Sequence, residues 1–340
     1  MKEPLVSVII INMNGRDYLK KCLPSLIDES YKNKEIIIVD NGSVDGSVEF
    51  VKKNYSKILV IENKFNAGFA GANNQGYKKT HGKYLFLLNN DTMIPKVLFK
   101  PLVDFMETDS SVGATQPRVL RQNEPEKLDS VGSFFTRSGF LYHFGFGHKD
   151  TKALRRVRPL FSAKGCSLML RKSLIDRIGL FDKDFFAYFE ETDLCWRIWL
   201  SGFKIFYVPD SYVLHKGWGT TSRMNFSFIN FHSYKNRIYS LIKNLSCWNL
   251  VSILPVNIFF SVVASVADLF TGKLKECFSI WKAFYWILLN MDKVLVERRH
   301  IQTGIRKIKD SEFLPQLTKN VGLSYFYYLF TGLEKFDTTK

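Results

Sequence analysis

Short apolar runs alternate with helical spacing through the first half of the chain. Val6–Ile11 (VSVIII) is a nearly unbroken β-branched run, the pattern of a strand buried on both faces. Tyr18–Ile27 then carries apolar residues at helical spacing. Glu35–Val39 (EIIIV) reads as a second buried strand, ending on Asp40-Asn41-Gly42-Ser43. A polar helix is expected over Ser47–Asn54, a strand over Ile58–Ile61, a helix over Ala70–Thr80 and a strand over Tyr84–Leu88. Strand and helix in turn predict right-handed βαβ units, hence an α/β fold on a mixed, mostly parallel sheet.

The pattern then changes. Arg118–Arg158 mixes Gly, aromatic and basic residues and predicts a long functional loop or an acceptor-facing insertion. Order returns at Ser162–Leu170, followed by helices over Lys172–Ile178 and Glu191–Ser201 and strands near Lys204–Val208 and Ser211–Leu214. Between Lys243 and Lys273 the only charged residue is Asp268, a stretch long enough to cross a bilayer. A second apolar run, Cys277–Met291, follows it, and Lys273, Lys275, Arg298, Arg299, Arg306, Lys307 and Lys309 flank the two. The runs are open to two readings: a buried helical pair, or a membrane hairpin or in-plane anchor. The division expected is a catalytic domain over 1–225 and a helical, membrane-associating region over 226–340.

Length and charge narrow the partners. A chain of 340 residues holds one catalytic domain and an extension. The net charge of +16 suits nucleic acid, an anionic membrane surface or phosphorylated substrates. Nucleic acid is set aside, since no basic run is dense enough and no zinc-finger or RNA-recognition signature occurs. From Lys216 to Lys340 there are 17 Lys and Arg against 8 Asp and Glu, so more than half the excess lies in the C-terminal third. Five cysteines without a CxxC pair suggest neither a structural zinc site nor a disulfide framework, which fits a reducing cytosol. With no signal-peptide pattern ahead of the first strand, the catalytic part is expected at the cytoplasmic face of the membrane.

Candidate chemistry gathers at strand ends, where open parallel sheets bind ligands. Asn12 follows the first strand, Asp40-Asn41 the second and Asn89-Asn90-Asp91 the fourth. Asp40 can accept a hydrogen bond from the imide N–H of uracil or thymine, or it can build an Asx-turn. Asn66-Ala67-Gly68-Phe69-Ala70-Gly71-Ala72-Asn73-Asn74 opens a helix. Asn66, Gly68 and Asn73 there could let an anionic donor approach a helix N-terminus, or form only a tight, well-packed helix start. Gly68 and Gly71 do not make a dinucleotide fingerprint. Asp91 can hold Mg²⁺ or Mn²⁺ against a departing diphosphate, or cap a helix. Glu190, Glu191 and Asp193 lie within four residues and repel, which raises at least one pKa and suits a general base; helix capping accounts for one of them. His215, in Leu214-His215-Lys216-Gly217-Trp218, is either a second metal ligand or a structural histidine.

Taken in order, VSVIIIN, IIIVDNGSVDGS, NKFNAGFAGANNQG, LFLLNNDT, the segment KGCSLMLRKSLIDRIGLFDKDFFAYFEETDLCWRIWLSGF and VLHKGWG resemble family 2 of the inverting glycosyltransferases, over residues 5–220. The resemblance implies the GT-A fold and transfer of a sugar from a nucleotide-diphosphate donor to a hydroxyl of a glycan or polyprenyl-linked acceptor in cell-surface polysaccharide synthesis. It implies that Asp40 reads the pyrimidine, Asp91 binds metal and diphosphate, Glu191 is the base with Glu190 and Asp193 beside it, and His215 completes the metal site. One departure is plain: Asn89 stands where the first acid of the family's DxD element would be. This variant, shared by members resembling rhamnosyltransferases and galactofuranosyltransferases, implies a metal held by fewer carboxylates and a donor that is dTDP-rhamnose or a UDP-sugar, with the first slightly favoured. A catalytically degenerate, membrane-bound scaffold or sugar-nucleotide sensor is the alternative function.

Overall fold

The computed structural model describes residues 3–217 and 225–327. Strands β1 (Val6–Asn12), β2 (Lys34–Asp40), β3 (Leu59–Glu62) and β4 (Tyr84–Asn89) alternate with helices α1 (Arg16–Asp28), α2 (Ser47–Asn54) and α3 (Gly68–Tyr77). The four strands lie parallel in the order β3-β2-β1-β4. Their period of two sends side chains into two cores. Val6, Val8 and Ile10 join Phe86 and Leu88 against α1, while Ile9 joins Leu85 and Leu87 on the opposite face. Burial on both faces is why the runs read as continuous rather than alternating.

The chain continues through β5 (Thr92–Met93), α4 (Phe99–Thr108), β6 (Val112–Arg121), β7 (Leu128–Ser130), β8 (Ser133–Phe135), β9 (Leu141–His143), β10 (Arg158–Pro159), β11 (Ser167–Arg171), α5 (Lys172–Ile178), α6 (Glu190–Leu200) and β12 (Lys204–His215). The main sheet has ten strands in the order β10-β12-β6-β11-β4-β1-β2-β3, with β5 paired to β12 and β7 to β6. β11 runs antiparallel to β4 and β6, and β12 runs parallel to β6, so the sheet is mixed and mostly parallel as expected.

Two expectations are corrected here. Arg118–Arg158 is not a loop: it holds the end of β6, then β7, β8 and β9, which pair with their neighbours and bury Leu128, Val131, Phe135 and Phe140. Its aromatics are core rather than surface. The two strands expected over Lys204–Leu214 are one, β12. The break between them survives as a register shift between Val208 and Tyr212, beside Pro209, which has no N–H to give the ladder.

Five helices follow: α7 (Phe226–Asn244), α8 (Cys247–Phe270), α9 (Leu274–Leu289), α10 (Met291–His300) and α11 (Asp310–Leu317). Among the described residues, α8 alone is long and apolar enough to cross a membrane. The expected division at 225/226 cuts a tightly bonded pair, because α7 is fastened to α6. Asp193 of α6 accepts from Ser240 Oγ (2.7 Å) and Asn244 Nδ2 (2.8 Å) and faces Lys243 Nζ at 3.3 Å. Lys243, 1% exposed, also pairs with Asp182. Replacing it takes one cation from buried Asp193, which keeps Arg197, and the cation from half-buried Asp182, so Lys243→Met should cost about 1–3 kcal/mol, read as a lowered urea midpoint. A chain ending at residue 225 should lose the cooperative melting of the full protein; equal melting temperatures would contradict the coupling.

Candidate active site

The strand order reverses between β1 and β4, and the polar ends of β1, β2 and β4 meet there. Asn12 ties them together. Its Oδ1 accepts from Asn90 Nδ2 (2.8 Å) and its Nδ2 donates to Asp40 Oδ2 (2.8 Å). Asp40 also accepts from the Ser43 N–H (2.7 Å) and Ser43 Oγ (2.6 Å) and is 2% exposed. Beyond this knot opens a cavity of about 560 Å³, lined from the sheet by Ile11, Asn41, Asn89, Asn90 and Asp91.

A chain of charges lines part of the cavity. β5 follows Asp91 directly and pairs Thr92 with His215, while the Lys216 N–H donates to the Asp91 carbonyl (3.0 Å). His215 Nε2 consequently lies 3.3 Å from Asp91 Oδ1. On the other side of the ring, Nδ1 is 2.7 Å from Asp129 Oδ2, carried by β7. Asp129 also pairs with Lys164. Burial alone would raise Asp129, but the Lys164 charge and the His215 hydrogen bond hold its carboxyl well below the usual range. An ionised Asp129 only accepts, so Nδ1 carries a proton and donates it. Burial opposes the charged imidazole, yet its bonds to Asp129 and Asp91 raise the His215 pKa overall. Burial likewise opposes the Asp91 anion, and the His215 hydrogen bond and charge more than offset it, lowering that pKa.

Glu190 and Glu191, at the start of α6, line the same cavity. The turn before them bends through two consecutive non-glycine residues in the left-handed region, Tyr188 (φ 68°) and Phe189 (φ 72°). Such geometry costs on the order of 1–3 kcal/mol per residue and needs outside support. Asn236 of α7 supplies it, donating through Nδ2 to the carbonyls of Ala187 (2.9 Å) and Tyr188 (2.6 Å). Burial, then the charge of Glu191, pushes the Glu190 pKa well up. Burial raises Glu191 too, and the Lys164 charge partly counters it.

Of the residues singled out from sequence, the cavity brings together Asn41, Asn66, Gly68, Asn89, Asn90, Asp91, Glu190, Glu191 and His215. Four others are not on its wall. Asn12 and Asp40 knot the strand ends, with the Asp40 carboxylate spent on the turn. Asn73 is 1% exposed and donates to the Phe69 carbonyl inside α3. Asp193 faces away toward α7, pairing with Arg197 (3.0 Å), and these cations hold its pKa down to about 2 against burial. The anion-binding reading of the α3 N-terminus is corrected as well: the N–H groups of Phe69 (2.7 Å) and Ala70 (3.3 Å) already donate to the Phe186 carbonyl. Gly68 (φ 74°) is required for that approach, since a Cβ would overlap the same carbonyl. Sequence reasoning missed Asp129, Lys164 and His143. His143 lines the cavity, and burial pushes its pKa down to about 4. Trp218, quoted with His215, lies outside the described residues.

The family model for Glycosyl transferase family 2 matches residues 7–178. The chain belongs to that family. Family 2 relatives include an uncharacterized glycosyltransferase of Rickettsia prowazekii, 29% identical over 219 residues, or 63% of this chain and 62% of that protein. A UDP-Glc:alpha-D-GlcNAc-diphosphoundecaprenol beta-1,3-glucosyltransferase of Escherichia coli is 35% identical over 106 residues, covering 31% of this chain and 42% of that protein. The matches span 16% to 62% of the length of the first three curated relatives. Among solved structures, a mannosyltransferase of Pyrobaculum calidifontis in complex with GDP-Man and Mn²⁺ aligns with a TM-score of 0.53 at 16% identity, over 88% of this chain and 87% of that one. At that identity the likeness speaks for the fold, the glycosyltransferase α/β architecture.

In this family 2 chain the buried acids at α6 weigh against stability. Below the ordinary glutamate pKa of about 4.3, both folded and unfolded chains keep the Glu190 proton and the residue is neutral to folding. As pH rises past that value the unfolded chain ionises first, and the folded protein loses stability. Glu190→Gln should therefore raise the melting temperature at neutral pH, with the gain vanishing at acid pH. A gain that is absent, or the same at every pH, would contradict the assignment.

Proposed function

We propose that the chain is an inverting glycosyltransferase which moves a sugar from a nucleotide-diphosphate donor to a hydroxyl of a glycan or lipid-linked acceptor. The observation that carries this reading is one cavity lined both by the Asp91–His215 pair and by Glu190 and Glu191. Glu191 takes the proton of the acceptor hydroxyl. The freed oxygen attacks the anomeric carbon as the bond to the diphosphate breaks, and a single displacement inverts configuration. The raised pKa of Glu191 suits a base that must hold a proton in the product state. Lys164, half-buried and paired with Asp129, contributes positive charge felt by Glu191, where phosphate oxygens would lie.

A divalent cation fits Asp91 and His215. Asp129 accepts a hydrogen bond from Nδ1–H, so loss of the Nε2 proton would leave Nε2 and Asp91 Oδ1, 3.3 Å apart, with lone pairs for a cation. Among the described residues no cluster of three acidic, histidine or cysteine side chains is ready to hold a metal, so donor oxygens would complete the shell. Bound there, Mg²⁺ or Mn²⁺ would neutralise charge on the leaving diphosphate. The Mn²⁺ of the Pyrobaculum enzyme supports the assignment. Asn89 in place of a second acid leaves dTDP-rhamnose and UDP-sugars as the donors to test first. The lipid-linked substrate named for the Escherichia coli relative and the apolar α8 support work at the cytoplasmic face of a membrane.

Glu191→Gln should lower transfer by about 10²–10⁴-fold while leaving the Kd for the nucleotide sugar within a few-fold. An active Gln variant would remove Glu191 from the role. Mn²⁺ and donor together should raise the melting temperature of the wild type. Asp91→Asn and His215→Ala should abolish the metal-dependent part of that rise, and Asp129→Asn should weaken Mn²⁺ binding by about 10–100-fold in calorimetry. Metal binding untouched by all three would place the cation elsewhere.

A further inference from the structure

α8 is built inside out, and α9 is apolar on its outer face as well as its inner one. The face of α8 turned toward the protein carries Asn257, Ser261, Ala264 and Ser265, all buried. The face left open carries Phe259, Val263, Val266 and Phe270 at helical spacing, with Phe270 85% exposed. On α9 an apolar stripe of Leu274, Phe278, Trp281, Tyr285 and Leu288 is likewise exposed. A helix of a water-soluble protein shows the reverse order, apolar inward and polar outward. An apolar outer face fits a hydrocarbon neighbour.

The packing also fixes how such a neighbour can lie. α8 has 24 residues, about 36 Å, enough to span a bilayer. Yet it is fastened to the water-soluble part along its length. Asn249 donates to Asp310 (2.8 Å) near one end, and Asn257 donates to the Ser138 carbonyl (2.9 Å) midway. Ser265 meets Cys277 of α9 (3.3 Å) toward the other end. If α8 crossed the bilayer, it would carry the Asp310–Arg306 ion pair and the β8–β9 turn into hydrocarbon, where charged and unpaired polar groups are costly. Lying in the plane of one leaflet incurs no such cost. Lys273, Lys275 and Lys282 are exposed beside aromatic Trp281 and Tyr285, the pairing of basic and amphipathic side chains that suits the headgroup level of an anionic leaflet.

We infer that α8 and α9 form an in-plane docking face for an anionic phospholipid surface, with neither helix crossing it. The β8–β9 hairpin links this face to the cavity. Ser133, Leu141 and His143 line the cavity, while the turn between the strands rests on α8 through Ser138 and through Phe140, whose ring meets Phe260 at 6.3 Å. The inference rests on the membrane-side acceptor proposed above, but its test reads binding and topology and needs no transfer activity, so either idea can fail alone.

The test uses the full chain. It should float with vesicles of phosphatidylcholine mixed with phosphatidylglycerol, and less with phosphatidylcholine alone. The double variant Phe259→Asp, Phe278→Asp changes exposed positions, should keep the wild-type melting temperature, and should lose vesicle binding by about tenfold or more. Cys247, the exposed cysteine among the described residues, marks the start of α8. Thr271→Cys in a Cys247→Ser background marks its other end. In inverted membrane vesicles from expressing cells, an impermeant maleimide should reach both positions. Protection of one end alone would overturn the in-plane arrangement in favour of a span. Failure to bind either vesicle, or a dimer in solution that the double variant dissolves, would overturn the lipid assignment and give the face to another copy of the chain.

Discussion

A buried imidazole held between two carboxylates is the contact on which the site depends. His215 ends β12, Asp91 follows β4 and Asp129 sits on β7, so three separate parts of the sheet must close correctly for the ring to be gripped from both sides. The grip has a chemical consequence. Asp129 fixes the tautomer, and the remaining ring nitrogen is presented to Asp91, where a cation or a proton must lie between them. Lys164 keeps the arrangement near charge balance and extends it toward Glu191.

The acids at the start of α6 follow a different logic. There Glu190 is buried and Glu191 half-buried, and the Lys164 charge only partly offsets the desolvation of Glu191, so both ionised forms are destabilised and the affinity for protons rises. A base of that kind is held by force. The left-handed turn at Tyr188 and Phe189 is kept in place by Asn236, and Asp193 one turn along the helix locks α6 onto α7. The helices after residue 225 thus serve the chemistry directly, by supporting the strained segment that presents the acids.

Much of this could be read from the chain because each signal was local. The β-branched runs gave β1, β2 and β4 nearly to the residue, and the polar residues at their ends mark the ligand side of any parallel sheet. Glu190 and Glu191 announced themselves by crowding. What stayed hidden was set by distant partners. Asp129 is an isolated acid in an aromatic stretch, and only the pairing of β7 with β6 brings it to His215, 86 positions away. The α3 N-terminus looked free for an anion because the carbonyl that occupies it belongs to Phe186, more than a hundred residues later. Asp193 looked catalytic beside two glutamates, but two positions after Glu191 put it about 200° round the helix, toward Ser240 and Asn244.

One spatial claim carries the rest: a leaving group at Asp91 and His215 and a base at Glu191 share a single cavity. Anomalous scattering from crystals holding Mn²⁺ and a nucleotide sugar would test it most directly. The account predicts a manganese peak between Asp91 and His215, with the anomeric carbon facing the Glu191 carboxylate. A sugar nucleotide bound with its diphosphate away from that pair, or with Glu191 turned from the sugar, would contradict it.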